Sequence, residues 1–207
     1  MKLCFSTKGW HNRSFADFCA VASDLKLDGV ELHNVRGALF TDRDSSFREQ
    51  TASATLRMLY EKKLSLPAID VLADIAGNPD AATEEIRACL HIASLFRIPA
   101  VRLQAAASDN EDAATERAAE LVGKLLPEAE ACGVSFLIGT SGLFARTAHL
   151  RNFLDRFASD NLGAIWLTST AFFEGGESAG EMIKNLGAYV RHVHINDARR
   201  TDGGIEH

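Results

Sequence analysis

The chain has 207 residues, 46% of them hydrophobic and 24% charged, with a formal net charge of −6. That is the balance of an ordinary globular protein, and with no internal linker it is expected to form a single domain over 1–207. The acidic surplus argues against binding a phosphate backbone, and no run approaches the ~20 apolar residues that span a bilayer, so neither nucleic acid nor membrane is an expected partner.

Leu3-Cys4-Phe5 reads as a first strand, and polar Ser6-Thr7-Lys8 follows it at once, which is not the pattern of a signal peptide. The loop beyond holds Lys8, Trp10 and His11. Phe15, Phe18, Cys19, Ala22 and Leu25 recur at helical spacing, predicting an amphipathic helix from Ser14 to Leu27 with Ser14 as N-cap. Gly29 to His33 is a second strand, and a polar loop through Arg43 leads to a helix over 45–63. A third strand runs from Leu66 to Leu72, with Pro67 near its start, where a missing N–H is tolerable. Asn78-Pro79-Asp80 opens the next helix, with Ile86, Cys89, Leu90 and Ala93 inward, and 99–103 is a fourth strand. A helix over 111–131 ends at Gly133, a suitable C-cap.

The chain is organised around two glycine-bounded apolar stretches, Val134 to Gly142 and Leu162 to Thr170. Each is short enough for a strand and apolar enough to be covered on both faces, the pattern of a parallel sheet. Leu150, Phe153, Leu154 and Phe157 make the helix between them. Ser178 with Glu181 forms a capping box before a helix to Ala188, Tyr189 to Asn196 is a seventh strand, and a polar tail ends the chain. The four cysteines, Cys4, Cys19, Cys89 and Cys132, have no CxxC spacing and are read as buried structural thiols of a reducing cytoplasm.

Strands alternating with helices at this spacing predict an α/β fold of the (β/α)8 barrel type, for which about 250 residues are usual. The count stops one βα unit short, so the sheet edge needs a cover: a further C-terminal segment, a second copy in a homo-oligomer, or a partner subunit. Chemistry in such barrels sits at the carboxyl ends of the strands, here Gly139, Ser141, Leu167, Ser169 and Thr170, none of them a carboxylate or an imidazole.

Val134 to Phe157, Asn161 to Glu177 and Asn185 to Arg200, together with Gly29-Val30-Glu31-Leu32 and Val101-Arg102-Leu103, resemble the xylose-isomerase-like TIM barrels, the sugar phosphate isomerase/epimerase family. The resemblance implies a divalent metal (Mn, Mg, Co or Zn) held by Glu, Asp, His and Glu on strands five to eight. Against the family's I-E-T-H-G, this chain reads Ile138-Gly139-Thr140-Ser141-Gly142; against W-D-x-H-H-P, it reads Trp166-Leu167-Thr168-Ser169-Thr170-Ala171. Of the implied ligands only His194 is kept, a residual metal position without a carboxylate, and no eighth-strand Glu is found in the chain.

The resemblance further implies that Glu31 and Arg102 face a sugar, the bland alternative being a mutual salt bridge. Asp197, Arg199 and Arg200 follow strand seven, where one could contact a sugar or phosphate. Trp10, His33, Lys8 and His11 are further mouth candidates, Trp10 because an aromatic face stacks on a sugar ring. Ser141, Ser169 and Thr170 form a hydroxyl cluster expected to bind water, His192 is read as structural, and Phe172-Phe173 as core, lid or subunit contact. No Ser-His-Asp or G-x-S-x-G pattern supports nucleophilic catalysis. The expected function is a non-catalytic homologue that binds a small sugar-like ligand or a partner, with no cofactor. The alternative is an active isomerase or epimerase with a non-standard set, Glu31 as catalytic residue beside Arg102 and His194, and a divalent metal only in that case.

Overall fold

The computed structural model describes residues 1–9, 13–33, 45–196, 198–201 and 204–206. Trp10, His11 and Asp197 lie outside them. Seven strands follow one another in a single sheet in sequence order: β1 (Cys4–Ser6), β2 (Gly29–His33), β3 (Ile69–Asp74), β4 (Ala100–Gln104), β5 (Ser135–Gly139), β6 (Leu162–Leu167) and β7 (Val190–His194). The pairs β1–β2, β2–β3, β5–β6 and β6–β7 are parallel, with Phe5 opposite Val30 and Leu137 opposite Gly163. The helices between them are α1 (Phe15–Asp24), α2 (Glu49–Lys62), α3 (Pro79–Phe96), α4 (Glu111–Ala131), α5 (Thr147–Leu154), α6 (Thr168–Phe173) and α7 (Ala179–Leu186). This is the α/β architecture of a TIM barrel with seven parallel strands among the described residues, one fewer than the full eight. None of its described helices is long and apolar enough to cross a membrane.

By internal packing the chain divides into two units. The first comprises Met1–Leu72, Glu84–Val101 and Cys132–Val134. There α1 starts at Ser14, whose hydroxyl accepts from the Asp17 N–H while the Asp17 carboxylate accepts from the Ser14 N–H, a capping box that satisfies two backbone donors otherwise left open. Phe47 packs edge-on against Phe15 and Phe96, with ring centres 4.7 and 5.1 Å apart. Such pairs contribute about 0.5–1.5 kcal/mol beyond the area they bury.

The second unit comprises Ala73–Thr83, Arg102–Ala131 and Ser135–His207. Phe136, Leu137 and Ile138 on β5 and Ala164 and Ile165 on β6 are buried at consecutive positions, so both strand faces are covered and the apolar run needs no alternation. Phe144, Phe153 and Phe157 continue this core outward with centroid spacings of 4.8 and 5.4 Å. The Ser178–Glu181 capping box opens α7 as the sequence implies.

Three sequence expectations are corrected. The stretch from Leu162 does not stay extended to Thr170; β6 ends at Leu167 and Thr168–Phe173 is helical, Phe172 and Phe173 included. The cause is local: the Leu167 N–H is taken by the Thr140 side-chain oxygen at 2.9 Å, so no backbone carbonyl of β5 extends the ladder past that point. The polar tail contains an antiparallel hairpin, β8 (Arg199–Thr201) with β9 (Gly204–Glu206), Arg199 opposite Glu206. Of the four thiols, Cys19 and Cys89 are buried as expected, whereas Cys4 is half-buried and Cys132 is exposed.

Candidate functional site

In the first unit the chemistry gathers on β2 and β3. Glu31 lies inside β2 with 2% of its surface exposed, its carboxylate within 4.8 Å of the Cys4 thiol. Burial, then the charge of Glu31, pushes the Cys4 thiol up to about 11. His33 closes the strand. Its backbone N–H donates to Thr7 Oγ1 at 2.9 Å, and its Nδ1 lies 2.9 Å from Oδ2 of Asp70, itself 2% exposed. A carboxylate oxygen accepts, so the Nδ1–H of His33 donates to Asp70 in this contact. Sequence reasoning missed Asp70. Its signal was a single charge inside the apolar run Ile69-Asp70-Val71-Leu72, which no buried strand carries without a partner. Lys8 is exposed in a short 3-10 turn over Thr7–Gly9.

In the second unit the strand ends of β5, β6 and β7 are tied to one another. Gly139 ends β5, and a Cβ there would lie 2.9 Å from Leu167 Cδ1 and 3.5 and 3.6 Å from Nε and Nη2 of Arg102. A Cβ here would crowd the end of the Leu167 side chain, while the Arg102 distances are those of ordinary contact. Arg102 reaches this point from β4 with 8% of its surface exposed. Thr140, fully buried, accepts from the Leu167 N–H and returns its own hydroxyl proton to the Leu167 carbonyl at 3.4 Å. The Thr168 hydroxyl donates to the His194 carbonyl at 3.1 Å, and the Ser169 hydroxyl to Asn196 Oδ1 at 2.8 Å. Ser169 therefore donates its proton to protein.

The loop after β5 is fixed just as closely. Gly142 takes φ +57°, and a Cβ on it would meet the Ala105 carbonyl at 2.2 Å. Asp74 accepts from the Ala76 and Ala106 N–H groups at 2.9 and 3.1 Å, which anchors the segment Gly142 packs on. Farther round, Glu177 accepts from the Thr147 N–H and hydroxyl, and Asn185 Nδ2 donates to Thr147 at 2.9 Å. On β7 the rings of His192 and His194 meet edge to face with centres 5.2 Å apart, as their shared strand face requires. Arg199 lies in the hairpin strand β8 rather than in an open loop.

An apolar cavity of about 290 Å³ is lined by Trp166 of β6, Met182, Ile183 and Leu186 of α7, and Val190 and Val193 of β7. The structure thus brings Gly139, Leu167 and Arg102 together, joins Thr168 to His194 and Ser169 to Asn196, and pairs His33 with Asp70. The polar groups at the ends of β5 and β6 are hydroxyls, backbone groups and one guanidinium, and the Thr140, Thr168 and Ser169 hydroxyls donate to protein acceptors.

A family model for the xylose isomerase-like TIM barrel matches residues 19–207. No curated protein matches the sequence. Among solved structures, the IOLI protein with a bound zinc atom superposes with a TM-score of 0.82 at 14% identity, over 97% of this chain and 74% of that one. The probable 3-DHS dehydratase AsbF of Bacillus anthracis gives 0.81 at 16% identity, over 96% and 74%. D-Psicose 3-epimerase, solved in the presence of D-fructose, gives 0.81 at 13% identity, over 99% and 76%. At such identities the likeness is one of fold.

Proposed function

This chain belongs to the xylose isomerase-like TIM barrel family, and we propose that it uses the barrel to bind a sugar-like, polyhydroxylated ligand without a divalent metal. The observation that carries this reading is the packing of Gly139, Leu167 and Arg102. Where the family pattern has a glutamate and an aspartate, this chain has no side chain and an apolar one, with a guanidinium within 3.6 Å of the vacant Cβ position. A hard cation wants several oxygen ligands, preferably carboxylates, and a fixed positive charge beside the same point repels it. His194 alone does not make up such a set, so the residues do not fit the metal. The cross-links that coordination would supply are matched by the hydroxyl bonds from Thr140, Thr168 and Ser169, which join β5 to β6 and β6 to the end of β7.

The test is calorimetric titration of the purified protein with Mn²⁺, Co²⁺ and Zn²⁺. We expect no stoichiometric uptake at micromolar concentration; one ion bound per chain with micromolar affinity would overturn the reading.

The His33–Asp70 pair and the buried Glu31 favour a second reading, a metal-independent isomerase or epimerase, since a fixed imidazole and a carboxylate are proton-transfer equipment. It requires exchange of a carbon-bound hydrogen of D-fructose or a related ketose into D₂O, abolished in Glu31→Gln. Absence of exchange across a panel of ketoses sinks it.

A further inference from the structure

We infer that His149 and Glu111 form a proton-operated latch: a proton taken up by His149 Nδ1 joins the imidazole to the Glu111 carboxylate and fastens the start of α4 to α5. The latch lies wholly within the second unit and does not depend on what the barrel binds.

The hydrogen bonds around the ring leave one place for that proton. The Thr115 hydroxyl donates to the Glu111 backbone carbonyl, one helical turn back, at 2.7 Å. A hydroxyl has a single proton, so toward His149 Nε2, 3.0 Å away, the same oxygen accepts. Nε2 therefore carries an N–H in the neutral ring and in the charged one alike. In the neutral ring Nδ1 is then a bare lone pair. It is buried, has no hydrogen-bond partner among the described residues, and lies 3.9 Å from Glu111 Oε2. Two acceptors facing each other form no bond, and a buried acceptor without a donor has given up its hydration for nothing. A proton on Nδ1 turns the same arrangement into an ion pair, which a small movement of the exposed Glu111 side chain closes to hydrogen-bond length. The imidazole keeps 20% of its surface exposed, enough to exchange that proton with solvent.

The charges around the ring set the sign. Glu111 comes from α4, and Arg146, the residue before α5, donates to the same Glu111 Oε2. The carboxylate thus holds one permanent cation, and His149 adds a second only when protonated. The other described contacts of the ring are neutral: Thr115 on α4, and Phe144, whose ring it meets edge-on with centres 5.3 Å apart. Phe144 is fully buried at the end of the 3-10 turn Gly142–Phe144, so the latch braces the loop that follows β5. Folding holds a carboxylate beside Nδ1 that the unfolded chain does not, so the latch adds stability at low pH and loses it as pH rises through the titration of the imidazole.

The experiment is a double-mutant cycle in thermal unfolding of the full chain at pH 5.5 and pH 8.0, with Glu111→Gln, His149→Gln and the double variant. Glu111→Gln removes the Arg146 pair at both pH values, so only the difference between them reports His149. That substitution should lower Tm by about 1–3 °C more at pH 5.5 than at pH 8.0, the size of a partly exposed ion pair in a chain of this length. The extra loss should shrink in 1 M NaCl. In the His149→Gln background, Glu111→Gln should cost the same at both pH values. An equal loss at the two pH values in the otherwise unchanged chain, or an extra loss at pH 5.5 that persists in the His149→Gln background, overturns the inference. If a variant does not fold, the ring of the unaltered protein gives the answer by nitrogen-15 NMR. At pH 8.0 the neutral His149 ring should carry its one proton on Nε2, and acidification should add the second on Nδ1. A neutral ring protonated on Nδ1 overturns the inference equally.

Discussion

The strand ends of the two units solve the same physical problem in opposite ways. In the first, buried carboxyl side chains are kept: Asp70 holds His33 at 2.9 Å, and Glu31 lies almost wholly inside β2. In the second, carboxylates are missing from the ends of β5 and β6, and the space is filled by Leu167, a guanidinium and neutral hydroxyl bonds. Charged pairs fix geometry at a desolvation cost, and removing one partner leaves the other exposed to that cost. Neutral clasps are individually weaker, but each can be lost without stranding an ion. The first unit should therefore be brittle to single changes, and the second tolerant of them unless they refill its space.

The largest effect tests the brittle side. Asp70→Ala removes the acceptor of His33 from a fully buried position and should lower the unfolding free energy by about 2–4 kcal/mol, read by urea denaturation. A loss below about 0.5 kcal/mol would erase the contrast. The tolerant side breaks by crowding. Gly139→Ala pushes a methyl group to 2.9 Å from Leu167 Cδ1 and should cost about 1–2 kcal/mol. The double variant with Leu167→Ala should cost less than the sum of its parts, and simple additivity would show that the two residues do not share the space.

The smallest effect concerns the thiols. Cys4 and Cys19 are pushed from 9.0 up to about 11, chiefly by burial, and burial raises Cys89 further. Raised folded-state values mean that the stability these thiols contribute is complete below pH 9 and is lost as pH rises through about 11. At pH 8 an alkylating reagent should label the exposed Cys132 at once, the half-buried Cys4 more slowly, and Cys19 and Cys89 only on unfolding.

How much of this was legible in the sequence depends on whether the signal was local. The strand runs around Phe136 and Ala164 announce themselves by being apolar at every position, and the capping boxes at Ser14 and Ser178 by their spacing. The missing carboxylates at Gly139 and Leu167 were visible by comparison with the family pattern. What filled their place was not. The approach of Leu167 and Arg102 to Gly139, and the clasp of Thr140 on Leu167, are contacts between residues 27 or more positions apart, which no local pattern encodes. Asp70 is a different case. It carried a local signal, a charge inside an apolar strand, and that signal follows from an elementary rule.

The hydroxyl clasps have one more consequence. No bond in the set Thr140–Leu167, Thr168–His194 and Ser169–Asn196 uses a group that titrates between mild acid and mild base, or an ion that a chelator could strip. The ends of β5, β6 and β7 should keep their spacing in EDTA and at pH 5. Bonds of this kind answer to temperature and denaturant rather than to the removal of an ion.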